Sequence, residues 1–488
     1  MMRRMTLLAT SVGFFMVILA TTAINVALGS IRADFGVGVS GLQWVVNGYT
    51  LVFAGLLLTA GKLGDRFGPK RIFLAGFATF AGASVLCALA PGLAALVACQ
   101  ALAGLGAALL VPSSLALISR AYSDPADRAG AVGVWAAAGG AAIAAGPLAG
   151  GLLVDASGWR TIFLINVIAG VMGLLIAVRY VDPTGPSTEG SGLDPAGQVL
   201  GISALVALAF ALIEGGSRGW GSPLILGAFG TFVLAALVFV VVEGRMRSPM
   251  LPLSLFGSPT FSAAASVGML LNFAYYGQVF LFSLYFQQER GYSPFLTGLA
   301  FLPMTATVVL ANLLCGRIVG AWGERATMAA GQALCGAGLL ALILVGEETG
   351  YPVLFCLLVA VGFGAGLVVP PMTAALLGTV GPDRLGIASG ALNASRQVGG
   401  VIGVALFGSL LGTSPAFLVG MRLSLAVAGG GLFVGCALAL IFVGRAAKPT
   451  ASQVEAGAKE GSRPGGEARR QGRRVRNANP GAGEEDHN

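Results

Sequence analysis

The chain has 488 residues, of which 56% are apolar and only 10% charged, with a formal net charge of +8 and a mean hydropathy of +0.84. A water-facing surface uses roughly 25% charged residues, and a disordered chain does not carry this much Leu, Val and Phe. Both classes are excluded, and a protein that crosses a membrane many times remains, with about 20 residues needed per spanning helix.

Apolar runs broken by Gly, Pro and charge clusters predict fourteen spanning helices near 7–28, 42–60, 72–89, 93–118, 129–153, 162–178, 198–213, 223–242, 261–286, 298–319, 326–345, 353–377, 386–411 and 423–443. Arg3 and Arg4 precede the first run, which lacks a convincing cleavage site, and it is read as a retained helix rather than a signal peptide. Arg3, Arg4, Lys62, Arg66, Lys70, Arg71, Arg120, Arg128, Arg179, Arg245, Arg247, Arg317, Arg325 and Arg384 fall in loops on the N-terminal side, fourteen in all. The opposite loops hold five: Arg32, Arg160, Arg218, Arg290 and Arg422. This asymmetry predicts a cytoplasmic N-terminus, and an even number of spans predicts a cytoplasmic C-terminus. Residues 445–488 are rich in Gly, Ala, Arg, Glu and Asn and read as a disordered basic tail. Its RRQGRRVR stretch (469–476) either lies on anionic lipid or is simply solvated.

Residue inventory removes several chemistries. The one histidine, His487, offers no zinc site and no His-based triad. Lys62, Lys70, Lys448 and Lys459 are followed by Leu, Arg, Pro and Glu, so no phosphate-binding P-loop exists. Cys87, Cys99, Cys315, Cys335, Cys356 and Cys436 sit singly in apolar stretches and read as packing residues. An integral-membrane enzyme would need clustered His, Asp, Glu or Cys at membrane depth, and no metal or cofactor is expected.

Two stretches echo each other. Gly61-Lys62-Leu63-Gly64-Asp65-Arg66-Phe67-Gly68-Pro69-Lys70 follows the second predicted helix, and Gly316-Arg317-Ile318-Val319-Gly320-Ala321-Trp322-Gly323-Glu324-Arg325 follows the tenth. Both fit G-[KR]-[LI]-x-x-x-x-G-x-[KR] and fall at the same place in two successive groups of six helices, an arrangement of transporters built from parallel repeats. The expected organisation is a six-helix bundle over 1–178, two extra helices within 179–260, a second bundle over 261–444 and the tail.

On these residues the chain resembles the major facilitator superfamily, in particular its fourteen-span drug/proton antiporter branch, over roughly residues 6–445. Gly61, Gly64, Asp65, Arg66, Gly68 and Arg71 match the superfamily's loop signature. The resemblance implies that this loop latches the halves together when the cavity faces outward, its acid set against a helix N-terminus, where a carboxylate gains about 0.3–1 kcal/mol; a plain polar turn is the alternative. Gly146, Pro147, Gly150 and Gly151 resemble the antiporter motif of exporters, although Ala142 stands where a glycine is expected. Pro147 removes a backbone donor, while Gly146 and Gly150 permit close helix approach. Leu42-Gln43-Trp44 through Tyr49, Trp159-Arg160-Thr161 through Asn166, and Asn393-Ala394-Ser395-Arg396-Gln397 are further hallmarks of the branch.

Two departures bear on mechanism. The family's first helix typically reads L-D-x-T-V-V-N, but here Ala20 replaces the acid; its fourth helix typically carries an arginine where this chain has Gln100. Arg396, inside the thirteenth predicted helix, is a functional candidate. It could neutralise an anionic substrate with Asn393 and Gln397 beside it, or be structural, pairing with carbonyls or Asp65. Asn25 is a candidate cavity contact or helix-helix glue. The expectation is an exporter of small amphipathic organic compounds, antibiotics foremost, working by alternating access, with an uncoupled facilitator or importer as the alternative. The implied partners are a small-molecule substrate, the bilayer and protons, without nucleic acid, in a monomer. The cavity is expected where the first, fourth and fifth helices face the first, second and fifth of the second half.

Overall fold

The computed structural model describes residues 1–183, 185, 192, 194–246, 249–346, 348–381 and 384–444. The predicted basic tail and Arg247 of the charge census lie outside the described residues. Among the described residues every regular element is helical. That follows from the solvent, because a lipid-exposed backbone must satisfy its N–H and C=O groups within its own segment.

The first group comprises α1 (Met2–Val26), α2 (Leu28–Phe35), α3 (Val39–Phe67), α4 (Pro69–Ala88), α5 (Leu93–Ala121), α6 (Pro125–Ser157) and α7 (Thr161–Tyr180). Two helices follow, α8 (Pro195–Arg218) and α9 (Pro223–Arg245). The second group is α10 (Pro259–Leu284), extended by a π-helical turn at Tyr285–Glu289, then α11 (Pro294–Ala341), α12 (Tyr351–Leu377), α13 (Leu385–Thr413) and α14 (Phe417–Phe442). Thirteen of these helices are long and apolar enough to cross a membrane.

Fourteen spans result, because α11 counts twice. At 1.5 Å per residue its length would be about 70 Å, twice what a bilayer core requires. Gly323 breaks it with φ 79° and ψ 164°, so it comprises two spans, the tenth and the eleventh. Gly68, between α3 and α4, has φ 92°. The eighth position of the repeated loop motif is thus a glycine at positive φ in both copies, a conformation that a Cβ disfavours. This geometry accounts for the repeat.

Several predicted ends are corrected. The first helix starts at Met2 rather than near 7; it breaks at Ala27 and resumes as α2 to Phe35, where Gly36 at φ 63° stops it. α6 spans Pro125–Ser157 instead of 129–153, because Asp124 caps it by accepting from the Ala126 and Asp127 N–H groups at 2.9 and 3.0 Å. Hydropathy marks the hydrocarbon slab, whereas caps decide where a helix ends. α9 leaves most of its surface to lipid, with Leu224, Leu226, Leu234 and Leu237 exposed.

Candidate substrate cavity

We call the face that carries the N-terminus the near face and the opposite one the far face. Towards the far face the two groups of helices are locked together. Asp155 at the end of α6 accepts from Ser293 Oγ at 2.7 Å and from the Phe295 N–H at 3.1 Å at the start of α11. Gly151 lies directly against the backbone of Pro294 and Phe295, and Gly298 against the Pro147 carbonyl; a side chain at either position would collide with main chain. Gly146 and Gly150 face the other way, onto Thr22, Ala23 and Val26 of α1. The four motif positions therefore have two jobs on one helix. Gly146 and Gly150 seat α6 on α1 within its own half, while Pro147 and Gly151 meet the opposite half.

The seal continues around the rim. The Gln287 amide accepts from the Gly29 N–H at 3.1 Å and donates to the Val26 carbonyl at 3.1 Å. Arg32 donates to Gln288, and Ser283 to the Asn25 carbonyl. Gln43 of α3 donates to the Val404 carbonyl at 3.0 Å and to that of Ala405 on α13, which gives a physical reason for the Leu42-Gln43-Trp44 hallmark. Trp159 and Arg160 act within the first half: the indole N–H and the guanidinium both reach Asp34 Oδ2, at 3.0 and 2.7 Å. The hydrogen bond from Arg160, reinforced by that from Trp159, holds the Asp34 carboxyl below its ordinary range.

Towards the near face the pairing of α6 and α11 comes apart. A Cβ on Gly140 would meet Val309 at 3.8 Å, but Gly130, Gly133, Gly316 and Gly320 have nothing within 4 Å of that position. Gly61 and Gly64 of the loop motif pack loosely on Pro112 and Ser113 of α5. Asp65, Arg66 and Arg71 are exposed, and among the described residues no hydrogen bond or ion pair reaches Asp65. The expected latch is not engaged in this structure, in keeping with a seal on the opposite face.

Between seal and splay lies a narrow cavity of about 20 Å³, room for about one water molecule. Ala20, Thr21 and Ile24 of α1, Val46, Tyr49 and Thr50 of α3, Gln100 of α5, Tyr276 of α10, and Gln397, Gly400 and Val404 of α13 line it. The spacing within α1, α3 and α13 is that of single helix faces. Ala20 and Gln100, the two departures from the family pattern, thus share one cavity, and no carboxylate or cationic side chain lines it. The expected fifth span (α6) and tenth span (first part of α11) are missing from the lining because they are pressed together at the seal.

Of the other predicted cavity residues, Gln397 lines it. Asn25, buried, donates to the Thr21 carbonyl at 2.9 Å and lies at the rim contact with α10. Asn393 donates to the Ser389 carbonyl of its own helix at 3.0 Å. Arg396 points into the second half, where its Nε donates to Asn272 Oδ1 at 3.4 Å and its stem packs on Gly268; among the described residues no carboxylate pairs with it. Tyr49, which ends a hallmark stretch, and Thr21, Thr50 and Tyr276 are cavity residues that the sequence does not mark as such. Their signal is positional, since they share helix faces with Ala20, Gln100 and Gln397.

A central cavity between two sets of six membrane-crossing helices, sealed on one face and splayed towards the other, defines a membrane transporter rather than an enzyme. Comparison with known proteins agrees. The family model of the Major Facilitator Superfamily matches residues 10–404 and also 264–477, and the chain belongs to that family. It is 38% identical to the methylenomycin A resistance protein of Bacillus subtilis (strain 168), over 90% of this chain and 94% of that protein. Identity to the tetracenomycin C resistance and export protein of Streptomyces glaucescens is 34%, covering 83% of this chain and 75% of the relative. Among solved structures, a POT family transporter shares the fold with a TM-score of 0.68 at 14% identity, over 89% of this chain and 95% of that one. A bacterial homologue of the lysosomal transporter Spinster, captured inward-facing and unoccupied, gives a TM-score of 0.64 at 17% identity, over 91% and 97%.

Proposed function

We propose that this protein resides in the cell membrane with both termini in the cytoplasm, and that it exports small, amphipathic, uncharged organic compounds in exchange for protons. Antibiotics are the leading substrate class, which the names of the relatives support. On this reading the far face is extracellular and the structure is the inward-facing state, loading from the cytoplasm. The halves 1–178 and 261–444 rock about the cavity as a monomer, with Asp65 and its loop closing the cytoplasmic side in the opposite state.

The observation that carries the substrate class is the lining. Threonine and tyrosine hydroxyls and two glutamine amides, set among Ile24, Val46 and Val404 without a fixed charge, suit a ligand with an apolar body and a few polar groups. Binding there leaves no uncompensated charge at membrane depth. The test is the minimal inhibitory concentration of a panel of antibiotics in a susceptible bacterium expressing the protein, alongside Gln100→Leu and Tyr276→Phe variants. Resistance to neutral amphipathic compounds that falls in the variants is expected. Unchanged susceptibility with the protein present in the membrane overturns the reading. Uptake into inverted vesicles with an imposed pH gradient tests the exchange; a rate indifferent to the gradient removes protons from the scheme.

A further inference from the structure

Two carboxyl groups are buried where the intervening pair of helices meets the near face. Asp194, which caps α8, is 5% exposed, and Glu243, in the last turn of α9, is 2% exposed. Asp194 accepts through both oxygens, from the Gly197 N–H at 2.8 Å and from the Met250 N–H at 3.4 Å. Glu243 Oε2 accepts from the Leu251 N–H at 3.3 Å. Its other oxygen, Oε1, is buried and no donor reaches it among the described residues. That oxygen and Asp194 Oδ2 converge on one spot of α8: a Cβ on Gly197 would lie 2.7 Å from the first and 2.5 Å from the second. The two oxygens therefore face each other across a gap of no more than about 5 Å.

One cation faces them. Lys62, second residue of the loop motif, reaches across from α3, its Nζ donating to the Gly192 carbonyl at 3.3 Å and to the Pro249 carbonyl at 3.0 Å. Pro249 is next to Met250, whose N–H bonds Asp194, so the ammonium and the carboxyl groups meet at the same turn. Among the described residues of α3, α8, α9 and the turn at 249–251, these three are the charged groups that meet here.

Two carboxylates this close and out of water do not both stay ionised, and a proton shared between them removes the repulsion. It also supplies the donor that Oε1 lacks. We propose that Asp194 and Glu243 form a one-proton site at the near-face end of α8 and α9, and that Lys62 links its occupancy to the Gly61–Arg71 loop. With the proton bound, the Glu243 O–H donates to the Asp194 carboxylate, and the remaining single negative charge is balanced by the Lys62 ammonium. Release breaks that O–H bond, sends the proton to water at the near face, and leaves two carboxylates against one ammonium. The added negative charge then pulls on Lys62, which lies in the last turns of α3 within the loop motif. A metal cation does not suit the site, because three of the four carboxyl oxygens already accept from backbone N–H groups. The proton is held away from the uncharged cavity, so substrate and proton need not compete for one set of side chains.

The test is infrared difference spectroscopy of the full-length protein in lipid vesicles, titrated from about pH 5 to about pH 9 without substrate. The wild type is expected to show a protonated-carboxyl stretch that disappears on titration and that Glu243→Gln and Asp194→Asn each lose. Glutamine keeps an acceptor for the Leu251 N–H, and two separate variants guard against one failing to fold. No titrating carboxyl band in the wild type, or the same band retained in both variants, overturns the proposal; so does a band that moves with sodium at fixed pH. Because no substrate is present, failure of the export reading leaves this result untouched.

Discussion

Replacing Gly298 by Ala tests whether the far-face seal is one state of a moving seam. The added methyl would collide with the Pro147 carbonyl, which is main chain and cannot swing aside. Overpacking of this kind costs about 1–3 kcal/mol. If the seam opens during the cycle, the methyl is tolerated in the open state, and the whole cost falls on the sealed one. The ratio of open to sealed molecules then rises by about 5- to 150-fold. Gly140 provides the control, because its Cβ would meet only Val309 Cγ2 at an ordinary 3.8 Å. Spin labels at Ala33 and Glu289, both exposed at the far face, can be placed in a chain whose six cysteines have been replaced. Double electron–electron resonance in lipid then reads the separation of the halves. Gly298→Ala is expected to populate the long distance by the factor above, and Gly140→Ala to leave the distribution as in the parent. A lower Tm for Gly298→Ala with an unchanged distance distribution would refute the reasoning, since it is what a fixed seam would give.

Other outcomes follow from the same geometry. Arg396→Gln is expected to reduce export of an acidic and a neutral compound by the same factor, because Arg396 binds Asn272 outside the cavity lining; a loss confined to the acidic compound would put the guanidinium in the substrate path. Gly68→Ala and Gly323→Ala are each expected to lower stability by about 1–2 kcal/mol through the positive φ they force on alanine, read as Tm in detergent; no change would show that the loops relax. The Asp34–Arg160 pair should depend on pH in one direction. Its carboxyl is held below the ordinary value, so its contribution is complete above the unfolded value of about 3.9 and disappears as pH falls through the lower folded value. The Tm difference between wild type and Asp34→Asn should therefore be constant from about pH 8 to about pH 5 and vanish only in stronger acid; a difference that closes near neutrality would contradict it.

The fold was legible because the bilayer leaves so few options. Fourteen spans follow from apolar runs and loop charges, and the repeat was visible in the loop motif before its reason, a glycine at positive φ, was known. Helix ends were less legible: the break at Ala27 carries no Gly or Pro, and the extension of α6 rests on the Asp124 cap. For the site, Gln100 and Gln397 were found because they depart from, or belong to, recognisable motifs. The cavity roles of Tyr49, although it ends a hallmark stretch, and of Tyr276 were not legible because an aromatic residue in a membrane helix reads as lipid-facing or core until the facing helix is known. Arg396 drew attention through its charge, yet its direction is set by the small Gly268 and by Asn272 on α10, and no property of α13 alone reveals that.

The scarcity of charge acquires a meaning from where the remaining charges sit. An uncharged cavity can face water on either side without a buried ion to desolvate at each half-cycle. Asp34, Arg32 and Asp155 make their bonds at the far-face rim, and Lys62, Asp194 and Glu243 make theirs at the near-face end of the added helices. α8 joins these regions physically. Gln198 bonds Gly55 of α3 near one end, and Glu214 accepts from Trp44 of α3 near the other, while Gly216 packs on Ser409 of α13. An element that touches α3 of one half and α13 of the other is strained by any motion between them. A protonation change at its near-face end can bias that motion without a charge entering the cavity, so coupling at Asp194 and Glu243 and an uncharged lining at Ala20 and Gln100 are compatible parts of one mechanism.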